Sequence, residues 1–366
     1  MRNNSKLTST EKAKEKAFLV GYSFRKATNF KEELLELKRL AESANLEVVG
    51  QDAQVVKDIT PGTLLGTGKV EEIAEKVEAL KADVVIVDTN LTGSQARNLS
   101  DIFCVKVIDR MGLILDIFAL RAVSAEGKLQ VELAQLKYSI PRLSSMQHAD
   151  GRFGGGVGMR GPGETKLELN RRSIDRRMKK LLEDLETVKN KRKINQKQRQ
   201  SGNKKQVAIV GYTNAGKSTL LNLITKAGIY ADDKLFATLD TTSRHVFLSP
   251  EVQIVLTDTV GFIKKLPHDL VEAFASTLEE AAMADLILHV VDVSNSNFKE
   301  HIETVNQTLK KIGAEGVPQI VVYNKCDALE PALPMIALKE NEVLISAKNN
   351  KGIDKLKEKI IEALTK

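Results

Sequence analysis

Apolar runs and helical repeats alternate along the first third of the chain. Ala17-Phe18-Leu19-Val20, Leu46-Glu47-Val48-Val49, Val84-Val85-Ile86-Val87 and Val105-Lys106-Val107-Ile108 are short, apolar and read as strands. Between them, Leu34, Leu35, Leu37 and Leu40 mark one helix. The stretch from Val70 to Leu80, after a glycine-rich turn, marks another. Strands that alternate with helices predict a parallel α/β sheet across residues 17–120. Gly66-Thr67-Gly68-Lys69 stands just before the second helix, where backbone N–H groups can receive an anion. It lacks the full phosphate-loop spacing, so a tight turn that only starts the helix is the better reading.

The period then changes. Leu129, Leu133, Leu136, Ile140 and Leu143 recur at spacings of four and three, and Ile174, Met178, Leu181, Leu185 and Val188 do the same after an interruption. Two such runs around one loop predict an antiparallel helical hairpin, with two separate amphipathic helices as the plainer alternative. Pro141 falls inside the first run, where its missing N–H should kink or end the helix. The interruption, Gly151 to Glu164, is rich in glycine and carries Arg152, Phe153 and Arg160. Two readings stay open for it. Either Arg152, Phe153 and Arg160, with Gly154, Gly155 and Gly156 giving room, form a tip that enters a phosphate-lined place, or the segment is a linker. The second run carries Arg171, Arg172, Arg176, Arg177, Lys179 and Lys180, then Lys189, Lys191, Arg192 and Lys193. Such charge is ordinarily a solvated face, and Glu183, Asp184 and Glu186 offset part of it. Behind a glycine tip it fits a grip on a phosphate backbone, led by Arg171 and Arg172. Gln196 to Lys205 is polar and expected to be a linker.

The last part of the chain carries the most specific chemistry. Val207-Ala208-Ile209-Val210 leads into Gly211-Tyr212-Thr213-Asn214-Ala215-Gly216-Lys217-Ser218, and a helical pattern follows from Thr219 to Ile224. G-x-x-x-x-G-K-S between a strand and a helix is a phosphate-binding P-loop. Its backbone N–H groups and the helix N-terminus cradle phosphates, Lys217 reaches the β and γ phosphates, and the Ser218 hydroxyl can hold Mg²⁺. Asn324-Lys325-Cys326-Asp327, after Gln319-Ile320-Val321-Val322-Tyr323, is a guanine reader. There the Asp327 carboxylate can accept from the N1 and N2 hydrogens, Asn324 can meet the other edge and the Lys325 stem can cover the base. Asp258-Thr259-Val260-Gly261, after Val252 to Leu256, is a D-x-x-G that senses the γ-phosphate through Mg²⁺ and a backbone N–H. Ser346-Ala347-Lys348 completes the set. In this order and spacing the motifs predict a GTPase that binds GTP, GDP and Mg²⁺. Leu235-Phe236-Ala237-Thr238-Leu239-Asp240-Thr241-Thr242 stands where a GTPase carries its first switch. Thr238 is the residue assigned to the Mg²⁺ shell, with Thr241 and Thr242 as competitors. Gly352 to Lys366 reads as one closing amphipathic helix.

Composition adds limits. The 366 residues suit two or three domains. No apolar run reaches the roughly 18 residues of a membrane span, and Met1 to Lys16 lacks the apolar core of a secretory signal. Cys104 and Cys326 are too few for a disulfide framework, so a reducing cytoplasm is expected. Net charge of +7 permits a polyanionic partner. The expected partition is 1–121 as an N-terminal α/β domain, 122–202 as the hairpin with its loop at 151–164, and 203–366 as the GTPase domain. A monomer is expected.

The chain closely resembles the HflX family of ribosome-associated GTPases, within the translation-factor-related P-loop class, over nearly its whole length. The distinctive pieces are the glycine stretch through Gly161-Pro162-Gly163-Glu164 with Leu167, Glu168 and Arg171-Arg172 after it. Phe236-Ala237-Thr238-Leu239-Asp240 and Asp258-Thr259-Val260-Gly261-Phe262 also match. The resemblance implies the three-part architecture and binding to the large ribosomal subunit, with the glycine tip near the peptidyl-transferase centre. It also implies that the GTP-bound protein splits stalled or idle ribosomes under stress. Some members carry a further C-terminal domain, which this chain is expected to lack. An ATP-linked activity has been associated with the family's N-terminal domain, but Gly66 to Lys69 is too thin to carry it. Position 262, where many GTPases place a water-orienting glutamine, holds Phe262, so slow intrinsic turnover raised by a partner is expected. Lys217, Thr238, Gly261 and Asn214 are the catalytic candidates; an asparagine at the place of Asn214 helps related GTPases coordinate K⁺. Three other functions compete: a regulatory GTPase acting on another RNA or protein, a small-molecule phosphotransferase, and an RNA-binding scaffold that uses GTP only to fold.

Overall fold

The computed structural model describes residues 14–24, 30–56, 60–147, 166–200, 204–225, 235–236, 239, 242–250, 252–264, 280–329 and 338–365. Contacts divide the chain between Leu113 and Ile114 into two compact units.

The first unit is built on four parallel strands: β1 (Lys16–Phe24), β2 (Glu47–Val56), β3 (Val84–Val87) and β4 (Lys106–Asp109), in the order β2-β1-β3-β4. Helices α1 (Phe30–Ser43) and α2 (Thr67–Ala79) alternate with them, as the apolar periods predict, and α3 (Gly93–Phe103) adds a helix between β3 and β4 that those periods do not mark. β2 runs well beyond its apolar stretch, because every residue to Val56 has a partner on β1. Gly50 within it is required by packing: a Cβ there would lie 2.6 Å from Leu80 and 2.7 Å from Phe18. Gly66 is the N-cap of α2. Lys69, in the first turn, is held by Asp52 at 2.8 Å and Glu72 at 2.9 Å, which neutralise the one basic side chain of the Gly66–Lys69 turn. The Gly66–Lys69 turn thus starts α2, with its lysine paired to Asp52 and Glu72.

In the second unit, α4 (Arg110–Arg121), most of which lies past the division, is followed by α5 (Ala125–Gln147) and α6 (Lys166–Gln200). Arg177 of α6 donates twice to the Glu132 carboxylate of α5, at 2.6 and 2.7 Å, and Leu133 and Leu181 are buried. The two helices thus pack together along the predicted apolar stripe. α5 continues through Pro141 to Gln147. The Arg142 guanidinium donates to the Tyr138 carbonyl at 3.1 Å and lies 3.5 Å over the Tyr138 ring, local contacts that support the turn around the proline. α6 reaches Gln200, so the polar run from Gln196 begins as helix and not as linker.

The rest is a six-stranded sheet in the order β10-β9-β8-β5-β7-β6. Its strands are β5 (Lys205–Gly211), β6 (Thr242–Phe247), β7 (Gln253–Asp258), β8 (Leu286–Asp292), β9 (Gln319–Asn324) and β10 (Glu342–Leu344). Only β6 runs antiparallel among these pairings. The strands buried on both faces are nearly all apolar, as central parallel strands must be. On one face α7 (Lys217–Thr225) and α9 (Ile353–Thr365) bury Leu220, Leu221, Ile224, Leu356 and Ile360. On the other, α8 (Phe298–Lys311) buries Val305 and Leu309 against Ala208, Val210 and Ile287. The carboxyl ends of β5, β7, β8 and β9 meet at one edge, where ligands of open α/β sheets bind.

Candidate nucleotide site

Close backbone approach explains the P-loop glycines. A Cβ on Gly211 would lie 2.2 Å from the Val290 carbonyl oxygen, and one on Gly216, whose φ is +93°, 2.2 Å from Asn324 Nδ2. Asn214 also adopts the left-handed region, at φ 61°, which asparagine tolerates better than most residues. Lys217 is buried, and its Nζ donates to the carbonyls of Gly211 (3.2 Å) and Tyr212 (3.0 Å). Burial pushes its pKa down to about 8, against the opposing pull of Asp258. Thr213 Oγ1 is buried without a hydrogen-bond partner. A buried cation beside an unanswered hydroxyl fits an oxygen-rich anion.

D-x-x-G reaches the same place. The Ser218 hydroxyl donates to the Asp258 carboxylate at 2.7 Å, so two hard oxygen donors stand together where Mg²⁺ would be held. Thr259 is buried and donates to the Ile209 carbonyl at 2.8 Å, which makes it a sheet anchor. Val260 is buried too. A Cβ on Gly261 would meet Thr213 at 2.8 Å and Lys217 Nζ at 3.0 Å, so only glycine fits over the lysine. The next residue, Phe262, is bridged to the P-loop: Thr213 N–H donates to its carbonyl at 2.8 Å, and its N–H donates to the Gly211 carbonyl at 3.1 Å. Its ring is buried among Ala208, Val210, Ile287, Val305 and Leu309. Phe262 is therefore a core residue, and glutamine there does not simply supply a water-orienting amide. Phe262→Gln is expected to lower unfolding free energy by about 3 kcal/mol or more, since it removes a buried ring and buries an amide. Denaturant melts check this; an unchanged midpoint would refute the assignment.

The base-reading end is tied to the phosphate end. Asn324 is buried; its Nδ2 donates to the Ala215 carbonyl at 2.9 Å, and its Oδ1 accepts from the Ala347 N–H at 3.0 Å. The structure thus uses this side chain to join P-loop and Ser346-Ala347-Lys348 loop. Asp327 is exposed, and the Ser346 hydroxyl that donates to it holds its pKa below the usual carboxylate range. Lys325, at φ 64°, is fixed by Asp292 at 2.7 Å, which steadies its stem beside Asp327. Lys348 is exposed, and Thr219 lies in the first turn of α7.

In the first switch, Phe236 and Leu239 are buried. Ala237, Thr238, Asp240 and Thr241 lie outside the described residues, as do Arg152, Phe153, Gly154, Gly155, Gly156 and Arg160. Arg171 and Arg172 are exposed on α6, and Arg172 is within 3.7 Å of Glu168.

Sequence reading missed several participants. The Tyr212 ring stacks on His301 of α8, with centroids 3.8 Å apart, and its hydroxyl accepts from the Lys264 N–H at 2.8 Å. Lys264 in turn pairs with Glu300 at 2.6 Å. His289 on β8 is buried, and desolvation with nearby Lys217 pushes its pKa down to about 4, so it is neutral. Only Asp292 left a signal, as an acid ending an apolar strand.

A family model described as GTP-binding GTPase N-terminal matches residues 31–119, one described as GTP-binding GTPase Middle Region matches 121–199, and one described as 50S ribosome-binding GTPase matches 206–325. The GTPase HflX of Caldanaerobacter subterraneus is 51% identical, over 96% of this chain and 81% of that protein. The chain belongs to the HflX GTPase family. The Escherichia coli HflX GTPase is 45% identical over 96% of this chain and 84% of its own length. A crystal structure of a GTP-binding protein from Sulfolobus solfataricus in complex with GDP matches at 25% identity with a TM-score of 0.50, covering 96% of this chain and 99% of that one. In this HflX-family chain the P-loop, D-x-x-G, N-K-x-D and Ser346-Ala347-Lys348 stand at the carboxyl ends of strands of one sheet. Among the described residues, no helix is long and apolar enough to cross a membrane.

Proposed function

We infer that the chain hydrolyses GTP to GDP and phosphate, and uses the nucleotide state to bind and release the large ribosomal subunit. The observation that carries the nucleotide reading is the double use of Asn324, which bonds the P-loop at Ala215 and the base-side loop at Ala347. One rigid frame then spans a guanosine phosphate from base to γ-phosphate. In-line attack of water forms a new P–O bond to the γ-phosphorus and breaks the bond to the β–γ bridging oxygen, leaving GDP. Lys217 and the Gly261 N–H meet the charge that spreads over the γ-oxygens. Ser218 and Asp258, with Thr238, would hold Mg²⁺, and the ion would neutralise charge on the phosphates. Asn214 is the candidate ligand of K⁺. Phe262 orients no water, so turnover is slow until a partner orders the switches.

Arg171 and Arg172, exposed on α6, and the glycine tip with Arg152, Phe153 and Arg160 serve as the ribosomal RNA grip near the peptidyl-transferase centre. The 50S ribosome-binding description of the matched model supports this partner. In the GTP state the bound chain splits stalled or idle ribosomes under stress, and hydrolysis releases it. The protein works as a cytoplasmic monomer, divided at residues 1–121, 122–202 and 203–366. GTP turnover with and without purified large subunits tests this. Stimulation that disappears on deletion of Gly154 to Gly158 is expected; equal turnover with and without subunits would exclude the large subunit as the activator.

Lys217 adds a pH prediction. Its depressed pKa means the free protein loses that proton above about pH 8, whereas bound phosphates retain it. GDP affinity is therefore expected to fall by up to ~10-fold per pH unit above about pH 8, with proton uptake on binding. Titration calorimetry at pH 8.5 in two buffers of different ionisation heat reads that uptake. Identical heats would count against it. In the free protein the sign is the reverse: stability rises as pH climbs from about 8 towards 10.5, where the unfolded chain still holds the proton.

A further inference from the structure

We propose that His301 is a positioning residue for the nucleotide site: from the first turn of α8 it fixes Tyr212 of the P-loop, and through the Tyr212 carbonyl it fixes Lys217. The proposal rests on the GTPase reading and adds a residue that lies outside every nucleotide motif. Three contacts converge on that one turn. Phe298 meets the ring of Tyr323, the residue before Asn324-Lys325-Cys326-Asp327, edge to face with centroids 6.2 Å apart. Glu300 holds Lys264, three residues past Gly261, at 2.6 Å. His301 stacks on Tyr212. A single helical turn outside the motifs thus touches the P-loop, the segment after D-x-x-G and the strand that carries N-K-x-D.

The stack is the contact that reaches the phosphate lysine. The ring centroids are 3.8 Å apart and the planes differ by 6°, so the rings cover each other face to face, and Tyr212 is only 7% exposed. Such a ring pair contributes beyond its buried area, whereas the exposed Glu300 carboxylate adds little through its ion pair with Lys264. Tyr212 is tied down elsewhere too. Its hydroxyl accepts from the Lys264 N–H at 2.8 Å, and its carbonyl accepts from Lys217 Nζ at 3.0 Å and from the Ala215 N–H at 3.2 Å. Gly261 lies over the same ammonium, since a Cβ there would be 3.0 Å from it. α8 is a firm base for the stack, because Val305, one turn after His301, and Leu309 are buried in the core. The ammonium must meet phosphate oxygens at hydrogen-bond distance, and a carbonyl that shifts carries its donor away with it. His301 therefore acts on the nucleotide through Lys217, and its effect depends on that lysine being present.

A contact that only stabilises the fold and one that positions Lys217 differ in what they do once the lysine is gone. His301→Ala and His301→Phe are to be made in the full chain, and His301→Ala also together with Lys217→Ala, with Lys217→Ala alone as the reference. Lys299→Ala, exposed on the same turn of the helix, is the control. Circular dichroism at the assay temperature establishes that each is folded; His301→Leu, which keeps bulk but not the flat ring, replaces His301→Ala if that variant is not. His301→Ala is expected to lower GDP affinity and GTP turnover by roughly 3–10-fold, the scale of one aromatic pair. His301→Phe restores both to within about twofold, since a flat ring still covers Tyr212. In the Lys217→Ala background, His301→Ala changes GDP affinity by less than about twofold, because the group it positions is absent. Wild-type affinity and turnover in His301→Ala, a phenylalanine variant as impaired as the alanine one, or the same further loss with and without Lys217 would each overturn the proposal. A wild-type chain that neither binds GDP nor turns over GTP would overturn the GTPase reading, and this proposal with it.

Discussion

Lys217→Ala lowers GTP turnover by roughly 10²–10³-fold, the cost of removing one preorganised charge from a transition state. The loss comes without unfolding. Lys217 is a desolvated cation whose pKa burial has already depressed, so the free protein has no net favourable ion pair to lose there. Its melting temperature is expected to hold or rise, which separates a catalytic defect from a damaged fold. The methylene stem leaves a small gap beneath Gly261, but the backbone of the loop is held by its own contacts, from Thr213 to Phe262 and from Asn324 to Ala215. Single-turnover assays and thermal melts on the same preparation read both quantities. Turnover within a few-fold of wild type would remove Lys217 from its assigned role.

Asp327→Asn should exchange one purine for another. The carboxylate accepts from the Ser346 hydroxyl on one oxygen and leaves the other side for the base. Asparagine can keep the first bond, but its amide group then points hydrogens at the guanine hydrogens. Losing two charge-assisted bonds costs GTP affinity roughly 10²–10³-fold. Xanthosine triphosphate carries a carbonyl where guanine carries its amino group, so the same amide now finds an acceptor and affinity for it rises. Competition of both nucleotides against a fluorescent GDP measures the inversion. A variant that still prefers GTP would show that the base is read elsewhere.

What the sequence made legible is local. The P-loop, D-x-x-G, N-K-x-D and Ser346-Ala347-Lys348 each lie within a few residues at the end of an apolar strand, so type and place could be read together. The helical stripes of α5 and α6 were legible for the same reason, through period alone. Contacts between distant segments were not. Nothing in the spacing of Tyr212, Lys264 and His301 announces a stack and a hydrogen bond. Phe262 shows a different failure. Its place after Gly261 invited comparison with a catalytic glutamine, whereas its bridge to Tyr212 turns the ring into the core. The end of α6 was misplaced because a polar run, Gln196 to Gln200, can be helical when the helix before it carries on.

That bridge also fixes where motion can begin. With Phe262 joined to Gly211 and Thr213 by two backbone hydrogen bonds, and Lys264 N–H fastened to Tyr212, the start of the second switch is stitched to the phosphate loop itself. A hinge at Gly261 would have to tear three bonds; a hinge past Lys264 tears none of them. The γ-phosphate donor at Gly261 is therefore held to the same frame as the phosphate loop.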